Sequence, residues 1–295
     1  MDKEILSNYK KAGQISIEAK NLARKLLKPE IKLLDLAEAI ENKIIDLGGK
    51  IAFPVNLSLN EEAAHSVPSW RDKRVYNEGD LIKIDVGVQV NGYIADTAFS
   101  VSSSEEDKKI INATDEALKE ALKLATPGTK IKEIGTRVNE IITSHNFKPV
   151  VNLTGHSLEQ YNLHSGMSIP SYDNGDNTEL EEGMAIAIEP FATNGSGIVI
   201  EGKEGEVLKY TEKRAPVRNG REILKWIIEN HKTLPFAQRY ILNNFSPLKS
   251  KLAINEFIRK GVLDQYKVLR ERSKGRVSQS EHTVIVSDKP IVTTR

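Results

Sequence analysis

Apolar residues recur every three or four positions over residues 5–27, at Ile15, Ala19, Leu22 and Leu26, and again over 31–47, at Leu33, Leu36, Ile40 and Ile44. That period predicts two amphipathic helices, separated by Pro29 and closed by Gly48 and Gly49. About a hundred residues later the same order returns. A helical pattern over 111–124 gives way to Pro127 and Gly128, after which Ile131, Ile134, Val138 and Ile142 share one face. The echo continues past the helices: FPVNL at 53–57 recurs as KPVVNL at 148–153, and EGDLIKID at 78–85 recurs as EGMAIAIE at 182–189. In the last pair, alternation predicts a strand that ends in a carboxylate each time, Asp85 in one copy and Glu189 in the other. Two such halves predict an α+β fold with pseudo-twofold symmetry, antiparallel sheets covered by helices, and a cleft between the halves.

A second alternating pattern, over 81–90 and 93–101, brackets Asn91 and Gly92, the strongest short signal for a two-residue hairpin. Its register sets Val90 opposite Tyr93, Asp85 opposite Ala98 and Asp96 opposite Gly87. Asp85 and Asp96 then share one face as diagonal neighbours, about 7–8 Å apart at Cα. The small Gly87 and Ala98 leave room above them. Two carboxylates in a low-dielectric cleft repel each other unless they are protonated or bound to cations. The third carboxylate, Glu189, arrives from the equivalent place in the other half and favours cations.

Composition narrows the chemistry. The 295 residues are 39% hydrophobic and 28% charged, with a mean hydropathy of -0.39, as in an ordinary globular protein. No run approaches the ~18 apolar residues of a membrane span, and the charged start carries no apolar signal core, so a cytosolic location is expected. With no Cys there is no disulfide, no thiolate nucleophile and no thiolate-held metal. Any metal must sit on oxygen and imidazole. The net charge of +1 argues against a general polyanion binder.

Six histidines remain to be sorted. His156 follows Gly155, whose freedom lets the backbone turn before presenting an imidazole, and it is the expected nitrogen ligand. His164 lies in a glycine-bounded loop and His65 just ahead of the hairpin, both within reach of a substrate. His145 and His231 read as surface residues. His282 neighbours Glu281 in a strand read over 278–286, where successive side chains face opposite sides, so the two cannot join one cluster without a bulge.

Taken in order, AFPVNLS at 52–58, Ala64 with His65, IDVG at 84–87, Asp96, TGH at 154–156, His164, AIEPF at 187–191 and EHT at 281–283 resemble the methionine aminopeptidases. The likeness spans essentially the whole chain and points to the type II, archaeal-like subgroup. It implies the pita-bread fold and two divalent ions, Co, Mn, Fe or Zn, held by Asp85, Asp96, His156, Glu189 and Glu281. In that scheme Asp96 and Glu281 bridge the ions, and a hydroxide between them attacks the scissile amide while Glu189 moves the proton. His65 and His164 resemble the histidines that contact the substrate, and Phe53, Leu163 and Phe191 the walls of the methionine pocket. The implied activity is removal of the initiator methionine from nascent proteins whose second residue is small. Ser280 departs from the pattern, since many relatives carry a larger residue there.

About ninety residues separate Glu189 from Glu281, room for the insertion of the type II subgroup. The expected organisation is a catalytic body over 1–202 and 277–295 and a helical insertion over 203–276, with helices at 221–230, 235–243 and 248–260. That insertion carries 18 Lys and Arg against 8 Asp and Glu, so transient ribosome contact through it is an expectation, with a monomer as the default state. Two rivals stand beside this reading. A proline-cleaving dipeptidase of the same fold usually has a large extra N-terminal domain, for which no room is expected here. A catalytically silent ribosome- or RNA-binding relative would have lost ligands, and all five are present.

Overall fold

The computed structural model describes residues 1–213 and 215–295; Arg214, within the span read as an insertion, lies outside them. The first half runs α1 (Lys3–Leu26), α2 (Leu33–Asp46), β1 (Lys50–Leu59), β2 (Glu62–Ala64), β3 (Ile82–Val90) and β4 (Tyr93–Val101). The second runs α3 (Glu105–Leu122), α4 (Ile131–Ser144), β5 (Lys148–Pro149), β6 (Thr154–Leu158), β7 (Ser168–Pro170), β8 (Ala185–Ile188) and β9 (Phe191–Thr193). There follow β10 (Val199–Tyr210), α5 (Arg221–His231), β11 (Phe236–Ala237), α6 (Gln238–Asn244), α7 (Pro247–Arg259) and β12 (Leu263–Glu271). The described chain closes with β13 (Val277–Gln279), β14 (His282–Ile285) and β15 (Ile291–Val292).

Each half packs a helix pair on antiparallel strands. In the first, α1 and α2 bury Ala12, Ile15, Leu36, Ile40 and Ile44 against Ile82, Ile84, Val86 and Val88 of β3. In the second, Ile110, Leu118, Ile134, Val138 and Ile142 of α3 and α4 meet Ile186 and Ile188 of β8 and Val284 of β14. The sheets are ordered β1-β3-β4 and β15-β14-β8-β6-β7, and the segment between β13 and β14 joins them: Glu281 N donates to the Ala98 carbonyl at 3.0 Å. None of the described helices is long and apolar enough to cross a membrane.

The hairpin has the expected register, Val90 with Tyr93, Asp85 with Ala98 and Gly87 with Asp96. Asn91 and Gly92 take the positive φ values, 52° and 88°, that a tight turn between twisted strands demands. Other expectations need correction. The third helix begins at Glu105 rather than near 111, because Ser104 caps it and three acidic residues occupy its first turn. The EGDLIKID strand does not end in its carboxylate, since β3 continues through Asp85 to Val90; only in the second copy does the strand stop before the acid. The KPVVNL echo forms no counterpart to the ten-residue β1, for β5 covers two residues and Asn152 turns aside to bond both backbone groups of Val199.

The span read as helical is framed by strands. Residues 203–210 belong to β10 and 263–271 to β12, which pair antiparallel along their length, while the helices lie within 221–259. The helix read from 235 starts at Gln238, because Phe236 and Ala237 pair with Leu208 and Val207. The three helices share a core of their own, with Ile223, Ile227, Ile241, Ile254 and Phe257 around Phe236. His231 is not a surface residue: its ring stacks against Phe236, centroids 4.8 Å apart, and against Tyr240 at 5.7 Å.

Candidate metal centre

β3 alternates between two environments. Ile82, Ile84, Val86 and Val88 point into the core under α1 and α2, which turns Asp85 and Gly87 to the opposite face, where Asp96 of β4 joins them. β8 stops at Ile188 and delivers Glu189 from the second half, while neighbouring β6 presents His156, paired with Ala187. Gly155 is required there, since a Cβ would lie 2.3 Å from the Ala187 carbonyl oxygen. The strand read over 278–286 is broken at Ser280 and Glu281, because Glu281 leaves the β9 partner and pairs with Ala98 instead. Ser280 fits this bend, buried and with its hydroxyl bonded to Thr114 and Asp115.

All ten residues singled out from the sequence, Phe53, His65, Asp85, Asp96, His156, Leu163, His164, Glu189, Phe191 and Glu281, line one cavity of about 250 Å³. Ligand atoms of Asp96, His156 and Glu281 lie within 4.8 Å of one another, and His156 Nε2 is 3.5 Å from Asp96 Oδ2 and 3.9 Å from Glu189 Oε1. His282, the first residue of β14, turns away from Glu281, and its Nδ1 meets Thr294 Oγ1 at 2.8 Å. The room expected over Gly87 is occupied: the Phe53 ring packs on the glycine, 2.4 Å from where a Cβ would stand.

The electrostatics select cations. Burial pushes the Asp96 carboxyl up to about 7. Burial, reinforced by the charge of Asp96, holds Asp85, Glu189 and Glu281 well above the usual carboxylate range. Asp85 Oδ1, both carboxylate oxygens of Glu281 and His156 Nδ1 are buried without a hydrogen-bond partner among the described residues. Buried polar atoms are normally paired, so three orphaned oxygens on two of the four neighbouring acids, Asp85 and Glu281, mark a place that divalent cations complete. The donor set, carboxylate and imidazole without thiolate, suits such ions.

The histidines are held neutral. Burial, then the neighbouring His164, brings His156 down to about 3, and burial followed by the Lys209 charge brings His164 to about 4. The two rings lie 4.3 Å apart. Burial also lowers His65. Its Nδ1 lies 3.3 Å from the Lys267 carbonyl, which can only accept, so Nδ1 carries the proton and Nε2 is left as an acceptor. The Tyr266 ring stands edge-on to it at 5.1 Å.

Sequence reasoning missed several residues of this cavity, notably Gln279, Val207, Pro235 and Tyr266. Gln279 was legible by alternation, two places before Glu281. Val207, Pro235 and Tyr266 carry no local signal; they reach the cavity because β10 and β12 bring the insertion back beside it.

The sequence profile of metallopeptidase family M24 matches residues 7–287, and the chain belongs to that family. A methionine aminopeptidase of Archaeoglobus fulgidus is 46% identical over 290 residues, 98% of this chain and 97% of the relative. Among solved structures, the methionine aminopeptidase of Thermotoga maritima superposes with a TM-score of 0.74 at 20% identity, over 100% of this chain and 98% of that one. A thermophilic Arx1 does so at 0.86 and 17%, over 99% and 91%. At those identities the structures speak for the pita-bread fold alone.

Proposed function

We propose that this chain is an aminopeptidase that removes the N-terminal methionine from proteins whose second residue is small, acting in the cytoplasm as a monomer. The convergence of five donor side chains and three apolar walls on one buried cavity carries the reading. The 46% identity to a relative that bears the name methionine aminopeptidase supports it over a proline-cleaving or silent relative. The basic surplus of residues 203–276 supports transient contact with the ribosome.

Asp85, Asp96, His156, Glu189 and Glu281 would hold two divalent ions, the four carboxylates balancing two dications. When bound, such ions polarise the scissile carbonyl and make water nucleophilic near neutral pH. Phe53, Leu163 and Phe191 would take the thioether side chain, a flexible group best selected by a close-fitting apolar and aromatic wall. Gln279 Nε2 donates to Glu189 Oε2 at 3.2 Å, which orients that carboxylate and leaves Oε1 to carry a proton from the attacking water to the leaving amine. His65 Nε2 and the neutral His164 would contact the scissile amide. Burial beside Phe53 and Phe191 keeps bulk water from competing.

Peptides beginning Met-Gly, Met-Ala or Met-Ser should be cleaved, and those beginning Met-Lys or Met-Leu poorly. Equal rates across that set, or preferential cleavage of X-Pro dipeptides, would sink the reading.

A further inference from the structure

Behind the metal face, on the core side of the first sheet, a half-buried cation reaches toward Glu281. Lys20 of α1 donates from Nζ to Thr97 Oγ1 at 2.8 Å and to the Thr294 carbonyl at 3.0 Å. Thr97 Oγ1 lies 2.8 Å from the Glu281 carbonyl oxygen, which accepts its one proton. A hydroxyl has a single hydrogen, so Thr97 must accept from the ammonium, and the chain Lys20, Thr97, Glu281 is polarised in one direction. The Glu281 backbone is gripped on the same side by Ala98, whose N lies 3.4 Å from its carbonyl. Both oxygens of the Glu281 carboxylate lack any partner among the described residues. The ligand is therefore placed by its backbone, and its backbone is docked from behind.

Thr294 completes the unit. It is fully buried, its Oγ1 meeting His282 Nδ1 at 2.8 Å and accepting from Thr283 N at 3.2 Å. Gly13 permits that approach, because a Cβ there would stand 2.0 Å from the Thr293 carbonyl oxygen. Lys20, Thr97 and Thr294 do not line the cavity.

We infer that Lys20 is a positioning residue for the metal centre: through its hydrogen bond to Thr97 it fixes the place of Glu281. The inference rests on the peptidase reading. Calorimetric titration of metal-stripped protein with Mn²⁺ tests it in the parent, Lys20→Met, Lys20→Arg and Thr97→Val, with melting temperatures in EDTA measured alongside. Outer partners of metal ligands typically set affinity by about 10–100-fold, so Lys20→Met and Thr97→Val should bind at least about tenfold more weakly while Lys20→Arg recovers most of the loss. Affinities of Lys20→Met and Thr97→Val within about twofold of the parent would overturn the inference, even with lowered melting temperatures, since those would mark a role in folding alone. A loss that Lys20→Arg does not relieve would overturn it too. Should Lys20→Met fail to fold, Thr97→Val, nearly isosteric, and Lys20→Arg decide. A parent that binds no Mn²⁺ sinks the peptidase reading itself, a result distinct from either.

Discussion

Asp96→Asn separates a metal-binding carboxylate from a merely structural one, because the two predict opposite signs for stability. Without metal, burial raises the Asp96 carboxyl from 3.8 to about 7. A group whose folded pKa lies above its unfolded value contributes its full stability below the unfolded pKa and loses it as pH rises through the folded one. The ionised Asp96 therefore costs the metal-free fold about 4 kcal/mol at pH 8 as an upper figure, at about 1.4 kcal/mol per pKa unit. Asparagine has the same shape and no charge, and its amide can donate to the unpartnered oxygens of Glu281. In EDTA at pH 8 the variant should thus melt above the parent, by up to about 8 °C for a chain of this size. At pH 4 the two should converge. With saturating Mn²⁺ the order should invert, since the parent gains stability by binding and the variant, no longer holding two ions, gains little. Activity should be nearly lost. Thermal melts at both pH values, with and without metal, and metal content by atomic absorption read all of this. A variant less stable than the parent in EDTA at pH 8, or one that retains two ions per chain, would refute the reasoning.

His65→Ala and His164→Ala should each keep the full metal complement yet lose about 10²–10³ in kcat, the usual cost of one lost transition-state donor; a fall in metal content would make that histidine a ligand. Gly87→Ala would place a methyl 2.4 Å from the Phe53 ring. It should displace that wall at about 1–3 kcal/mol of overpacking, lowering kcat/KM for methionyl peptides with metal content unchanged, and unaltered kinetics would refute it. Arg239 and Glu41 form a fully buried ion pair between α6 and α2, with Tyr240 OH also donating to Glu41 at 2.7 Å. Arg239→Leu leaves that carboxylate uncompensated and should cost about 3–5 kcal/mol in urea denaturation, whereas a loss below about 1 kcal/mol would show the charge is met elsewhere.

Where the signal was local, the sequence sufficed. The helix periods at Ile15 to Leu26 and Ile131 to Ile142, and the Asn91-Gly92 turn, are short-range properties, and a two-residue turn leaves one register for Asp85 and Asp96. Alternation likewise separated Glu281 from His282. The misreadings share a cause. Whether a carboxylate ends a strand depends on where its neighbours stop pairing: β3 continues past Asp85 because β1 flanks it to Gln89 and β4 to Val90, whereas β13 and β14 part at Glu281 because Ala98 competes for its backbone. The strands β10 and β12 were hidden among charged residues of both signs because they draw stability from pairing with each other across the inserted helices. Sequence by itself determined which acids and imidazoles this chain owns and which share a strand face, since side-chain period is set by the local backbone. Only the tertiary structure decided that Tyr266, Val207 and Pro235 stand beside them, that Phe53 fills the space over Gly87, and that Lys20 docks behind Glu281, because contacts between distant segments depend on how whole elements pack.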